Sequence, residues 1–171
     1  MMKKVFKIAL VALLAVTATA TYAQKQGRIN VQTVVMAMPE TKTMQTNLEA
    51  FRKDLSDNLE TMQVEFNNKY TDYQSTQATM TAAVRDLKQK ELQDLQTRMQ
   101  QFEQNAMQEI QKKQNELLQP IINKAREAIS KVSKAGGFSV IFDSAAGAMA
   151  YIDETIVVDI EPAVKKELGI Q

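Results

Sequence analysis

The side chains that most often carry catalysis near neutral pH are missing from this sequence: its 171 residues include no Cys and no His. Thiolate and imidazole are thereby removed as metal ligands, as nucleophile and as the acid–base group that titrates near pH 7. Carboxylates remain, but Asp143 and Asp153 stand isolated among turn-forming residues and read as turn residues, not as an acid–base pair. Neither an enzyme nor a bound cofactor or metal is expected. What remains is surface chemistry. Among ten methionines, Met80 and Met107 fall outside every apolar periodicity, and Tyr70 and Tyr73 lie at the end of one. Methionine is flexible and polarizable, which suits a surface that must accept many apolar partners. Lys69, Arg85, Lys88 and Lys90 outweigh Asp72 and Asp86 across the same stretch, whereas residues 138–171 hold two basic and six acidic side chains. These residues, Lys69, Arg85, Lys88, Tyr70, Tyr73, Met80 and Met107, are the candidate contacts with a partner, with membrane-surface contact a further option for the cations.

Two long helices must position them. Between Gly27 and Gly136 there is no glycine, and the prolines are only Pro39, Pro120 and Pro162, so turn chemistry is scarce over the whole middle of the chain. Pro39-Glu40-Thr41 suits a helix start, with proline in the first turn and acid at the N-terminus. Apolar positions then recur at Leu48, Phe51, Leu55, Leu59, Met62, Phe66, Tyr70 and Tyr73. The pattern repeats every 11 residues over three turns, close to the natural helix period, so the stripe runs nearly straight. It fades in Gln74 to Thr81, where Ser and Thr compete for their own backbone, and a reversal is expected near residues 75–81. A second stripe runs Leu92, Leu95, Met99, Phe102, Ala106, Ile110, Leu117, Ile121, Ala125, Ile129 and Val132, interrupted near Lys113. Folded back, the arms pack antiparallel, each covering the other's stripe. At ~1.5 Å per residue an arm from Thr41 to Ser75 reaches ~50 Å. Pro120 removes one amide donor and is the expected hinge, bending the second arm near Glu116.

The N-terminus sets the compartment. Lys3, Lys4 and Lys7 precede an apolar run of about 13 residues that ends in Thr21-Tyr22-Ala23, the pattern of a cleaved secretory signal peptide over residues 1–23. The run is short for a bilayer span of ~20 residues, and a lipid anchor would need a cysteine. Removal of this segment leaves 18 basic against 20 acidic residues, a formal charge of −2. Nothing in that balance draws the chain to nucleic acid.

Residues 24–38 and 136–171 are expected to make a small β-rich body, and residues 39–135 the arms. Arg28 to Gln32 alternates as a strand with Ile29 and Val31 on one side, followed by a helical turn at Thr33 to Ala37. Gly136-Gly137 ends the second arm. Phe138 to Phe142 alternates with Phe138, Val140 and Phe142 on one face, and Ala148 to Ile152 reads as the returning strand of a hairpin. A last helix spans Pro162 to Leu168, with Gly169 as its stop. A body of about 51 residues without disulfide or metal buries too little surface to stand alone, and its strands leave open edges. Self-association through Ile29, Val31, Phe138, Val140 and Phe142 would answer both needs. The fold class is α+β: a long antiparallel helical hairpin with coiled-coil-like arms projecting from a small oligomerising β body.

Several strings resemble the Skp (OmpH-like) family of periplasmic chaperones. They are Arg28-Ile29-Asn30-Val31-Gln32, Ala37-Met38-Pro39-Glu40, Leu117-Leu118-Gln119-Pro120-Ile121-Ile122, Gly136 through Asp143, Ala150-Tyr151-Ile152-Asp153 and Val158-Asp159-Ile160. The resemblance spans essentially the whole mature chain, the arms mainly by pattern and length. It implies a periplasmic homotrimer with a shared β-barrel body and three hairpins around a cavity. That cavity would receive unfolded outer-membrane proteins and prevent their aggregation without ATP. Two departures stand out: the mature charge of −2 against the basic character of well-known members, and Glu161 in the place of a Thr cap. A coiled-coil spacer or adaptor of the cell envelope is the competing class, but such proteins flank their hairpins with larger glycine-rich β domains, and this chain has five glycines.

Overall fold

The computed structural model describes residues 25–147 and 149–170; the expected signal peptide lies outside them. The elements in order are β1 (Lys25–Ile29), α1 (Val31–Ala37), α2 (Pro39–Thr76), α3 (Ala82–Ala135), β2 (Phe138–Asp143), a 3-10 turn (Ser144–Ala146), β3 (Val158–Asp159) and α4 (Glu161–Leu168). The chain divides into two compact units. One holds the described residues up to Val34 and from Ala125 onward, here the body unit; the other is Val35–Lys124, the arm unit.

In the body unit β1 is the central strand of a sheet ordered β2-β1-β3, parallel to both neighbours. A parallel pair needs a crossover connection, and α1, α2 and α3 all lie in the chain between β1 and β2. One sheet face is closed by a core of Ile29, Val34, Ala128, Ile160 and Val164, with Ile129, Val132, Phe138 and Ile141 packed against it. The last turns of α3 thus belong to this core. Gly27 has a steric role: a Cβ there would stand 2.7 Å from Ile141 Cδ1 and 3.2 Å from both Ile160 Cγ2 and Phe138 Cδ1.

Three local expectations are corrected here. The first strand ends at Ile29, and Val31 opens α1 instead of continuing the strand. Asn30 is the cause: its Oδ1 accepts the Thr33 amide at 2.9 Å, which starts a helix as an N-cap does. The grouping of Phe138 with Val140 and Phe142 on one face also fails. Lys25 pairs with Phe138 but Gln26 pairs with Val140, a register shift that leaves Ser139 over. An extra residue in a strand breaks the two-residue alternation, so Phe138 joins Ile141 against the core while Val140 stays exposed. Finally, residues 149–152 form no strand, and the third strand is Val158–Asp159 on the far side of β1. Asp143 turns the chain out of β2 by accepting the amides of Ala145 at 2.9 Å and Val31 at 3.2 Å. Asp153 then builds a second turn, accepting the Thr155 amide at 2.9 Å while its carbonyl takes the Ile156 and Val157 amides. The chain comes back to the free edge of β1, where Ile160 N–H donates to the Arg28 carbonyl at 3.0 Å. Arg28 bridges Glu154 at 3.1 Å and Asp159 at 3.4 Å, tying the returning segment to the sheet. Ile160 is the N-cap of α4 and offers no side-chain cap, but just ahead of it Asp159 Oδ1 accepts the Glu161 amide at 2.9 Å.

In the arm unit α2 has 38 residues and α3 has 54, of which those up to Lys124 lie in this unit. Pro39 takes the first helical position of α2. The buried Thr41 hydroxyl donates to the Val35 carbonyl, closing the elbow between α1 and α2. Thr76 and Ser75 hydroxyls both donate back to the Asp72 carbonyl, local bonds of the kind that compete with helix propagation. The helix stops there, and Thr81 caps the next one by accepting the Val84 amide at its Oγ1.

Candidate functional site

The arm unit is a seam and little else. Leu48 is buried and Phe51, Leu55, Leu59, Met62, Phe66 and Tyr73 are half-buried, while the residues between them are almost all exposed. On α3, Leu95 and Ile121 are buried and Leu92, Met99, Phe102, Ala106, Ile110 and Leu117 half-buried. Apart from Tyr70, which the structure leaves exposed, each stripe is therefore spent on the other helix. Pairing across the seam fixes the antiparallel sense, because partners fall in number on α3 as they rise on α2: Glu40 with Lys124, Phe51 with Lys113, Lys69 with Glu91, Asp72 with Lys88. Among the described residues no third layer packs behind these two helices. Their outer faces are solvent-facing surface available for binding.

The sequence-named residues take distinct places on this hairpin. Met107 is 71% exposed and Tyr70 44% exposed; Met80 is half-buried in the turn between the arms. Tyr73 is half-buried, and its hydroxyl accepts from Gln89 Nε2 at 2.7 Å across the seam. Tyr70 stacks on Phe66 with centroids 6.0 Å apart. The three cations are engaged within the hairpin. Lys88 Nζ lies 2.9 Å from Asp72 Oδ2, Arg85 donates to the Gln77 carbonyl at 3.2 Å, and Lys69 lies 3.8 Å from Glu91 and 3.9 Å from Glu65. The Asp72 hydrogen bond raises the Lys88 pKa above its ordinary value. The structure brings Lys88, Asp72, Tyr73 and Gln89 together around the last shared turn, whereas Met107 lies well back along α3. In the body unit Ile29 is core, Val31 and Phe138 pack against it, Phe142 is half-buried and Val140 exposed. Pro120 lies inside α3, which continues through it to Ala135.

Sequence reasoning missed three features. Lys113 fills the interruption in the second stripe and lies over the Phe51 ring. Glu40 and Lys124 pair across the arm roots, and that hydrogen bond holds the Glu40 carboxyl below its usual range. Beside the pair is a groove of about 510 Å³ lined on one side by Met44 and on the other by Leu117, Pro120 and Ile121. On the body unit the exposed apolar side chains include Tyr151 and Ile156, 81% and 68% exposed. Among the described residues no group of three or more Asp or Glu is placed to hold a metal ion, and no helix is long and apolar enough to cross a membrane.

The described residues make a mostly helical protein with a small sheet and a long helical arm whose two helices are paired by one seam. The family described as outer membrane protein (OmpH-like) matches residues 25–168. The chain is 28% identical over 170 residues to a chaperone protein Skp of Yersinia enterocolitica, covering 96% of this chain and all of that one. It is 26% identical over 143 residues to the Skp of Pectobacterium atrosepticum, covering 81% and 83%. Its fold is similar to the crystal structure of a putative outer membrane chaperone (OmpH-like) from Caulobacter crescentus, with a TM-score of 0.74, 16% identity and coverage of 87% and 86%. The protein belongs to the OmpH-like family, to which the Skp chaperones are its named relatives.

Proposed function

We propose that this chain is a nucleotide-independent holdase of the periplasm, one that keeps unfolded outer-membrane proteins from aggregating by holding them against its arms. The observation that carries the reading is the single-seam hairpin: two long helices that bury only their facing stripes and leave their flanks to bind. Exposed and adaptable side chains such as Met107 and Tyr70 offer weak apolar contact to many sequences, with Met80, Tyr73, Lys69, Arg85 and Lys88 around the arm ends as further contacts. Membership of a chaperone family supports the same role. Pro120, with no amide hydrogen, is the point at which α3 yields most readily.

The working form is a homotrimer built through the body unit. Supporting this are the open outer edges of β2 and β3 and the exposed Val140, Tyr151, Ile156 and Val158, which a monomer would leave in water. Delivery to the periplasm rests on the signal-peptide pattern of residues 1–23. The test is dilution of a urea-unfolded outer-membrane barrel protein into buffer with the purified mature chain and no nucleotide. The expected result is suppressed light scattering at stoichiometric excess and a complex whose mass fits three chains and one client. A client that aggregates at the same rate with and without the chain overturns the holdase reading in favour of an envelope spacer.

A further inference from the structure

Methionine carries all the sulfur of this chain, because there is no cysteine. The thioether is then the side chain most open to two-electron oxidants, and its sulfoxide turns a flexible apolar group into a polar one. Attack requires that the oxidant reach the sulfur and that there be room for one added oxygen. Exposure therefore orders the methionines, and the fold spreads them widely. Met107 is 71% exposed and Met36 65%, whereas Met38 is 2% exposed and Met62 and Met99 are half-buried members of the two seam stripes. Neighbours set Met107 further apart. About one helical turn away lie Glu103, Gln104 and Gln111, all polar and exposed, while Ile110 belongs to the seam. The thioether thus supplies the apolar surface of that outer turn. A sulfoxide there leaves the seam untouched and makes the turn polar. The same oxygen on Met62 or Met99 would bring an unpaired acceptor into the seam and destabilise it.

We propose that Met107 is a site of reversible oxidation by hypohalous acids, at which sulfoxide formation lowers client holding without unfolding the arms. The thioether lone pair attacks the chlorine of HOCl and hydroxide leaves; water then adds its oxygen to the sulfur as chloride departs. The net change converts thioether and HOCl to sulfoxide, chloride and one proton, with sulfur losing the two electrons that chlorine gains. A sulfoxide reductase supplied with a thiol reverses it. The inference rests on the holdase reading and deepens it by giving one of its contacts a chemical regulation.

The test treats the full mature chain with graded hypochlorous acid, quenches the excess with free methionine, and only then adds a urea-unfolded outer-membrane barrel protein. Peptide mass mapping reads each sulfoxide, circular dichroism the helices, and light scattering the holding. Met107 should be half oxidised at a dose several-fold below that needed for Met62 and Met99. At that dose holding should fall several-fold against the same chain untreated, at an unchanged melting temperature. It should return after sulfoxide reductases of both epimer classes act with dithiothreitol. Met107→Leu should keep its own untreated level of holding through that dose, whereas Met36→Leu should lose holding as wild type does. Met107→Gln, polar and unable to take the oxygen, should hold as poorly as the oxidised chain from the start. Met107 oxidising no earlier than Met62 and Met99 overturns the proposal. So does a loss that persists in Met107→Leu, or one that comes only with a falling melting temperature. A chain that holds client equally before and after Met107 is oxidised refutes the regulation alone; an untreated wild-type chain that leaves the client to aggregate refutes the holdase reading itself.

Discussion

Lys113 lies over Phe51, its Nζ 5.9 Å from the ring centroid, at the one place where the apolar stripe of α3 carries a charge. The residue is half-buried, so its alkyl stem covers the seam while the ammonium reaches the aromatic face, as long basic side chains do at partly wet interfaces. The gap in the stripe is thus bridged but weakly. Lys113→Leu should stabilise the arm unit by about 0.5–1 kcal/mol, since added apolar burial outweighs a cation–π contact of about 0.5–1 kcal/mol at an exposed site. Lys113→Glu should lower the urea midpoint. A Lys113→Leu chain less stable than wild type would show the contact to be worth more than the burial.

Gly27 makes a sharper demand. A β-carbon there meets Ile141 at 2.7 Å and both Ile160 and Phe138 at 3.2 Å, all side chains of the body core or packed against it. Gly27→Val should cost about 1–3 kcal/mol by overpacking, with Gly27→Ala milder because Ile141 Cδ1 is the free end of a side chain. Chemical denaturation followed by amide exchange in β1 and β2 would measure it. An unchanged midpoint in Gly27→Val would mean that the sheet and α4 separate more easily than their packing implies.

The stripes were legible in the sequence because a helix with one dry face must repeat its apolar residues near the helical period. That period survives from Leu48 to Tyr73 and from Leu92 to Ile121, and with the exception of the exposed Tyr70 both are the seam. The sheet was less legible because its details are set by residues far away in the chain. Phe138 changes face through a register shift against Lys25, and no pattern within Phe138 to Phe142 records a bulge. The supposed returning strand failed over residues 149–152 for the same reason: Asp143 and Asp153 redirect the chain, and Val158 pairs with Gly27. Asn30 is different, since a capping residue ahead of Val31 was a local signal for a helix start. In the candidate site, the periodicity separated Met107 from the seam, and its exposure agrees. It could not show that Lys88 and Arg85 bond back to Asp72 and Gln77, because those distances depend on how the arms meet.

Leu95 and Met107 separate folding from binding on one helix. Leu95 is 1% exposed at the seam and Met107 is 71% exposed. Leu95→Ala should cost about 2–5 kcal/mol, whereas Met107→Ser should change stability by less than about 0.5 kcal/mol. In the aggregation assay the order should reverse at a temperature where both variants are folded: Met107→Ser holds client less well, and Leu95→Ala holds it as wild type does. Equal holding by Met107→Ser and wild type would remove Met107 from the contact surface.

The Glu40–Lys124 pair gives the arm roots a pH dependence of definite sign. The Lys124 hydrogen bond lowers the Glu40 pKa below its ordinary 4.5. The unfolded chain therefore binds the proton more readily, and the stabilisation is fully present above about pH 4.5 and lost as pH falls through the lowered value. Both side chains are about half exposed, so solvent screening keeps the contribution below about 1 kcal/mol. Lys124→Gln should be less stable than wild type at pH 7 by that small amount, and the two chains should converge by about pH 3, where the carboxylate is neutralised. Melting curves of both proteins across this range in low salt would measure the difference. A gap that persists unchanged at about pH 3 would assign the role of Lys124 to its alkyl stem packing beside Pro120 rather than to its charge.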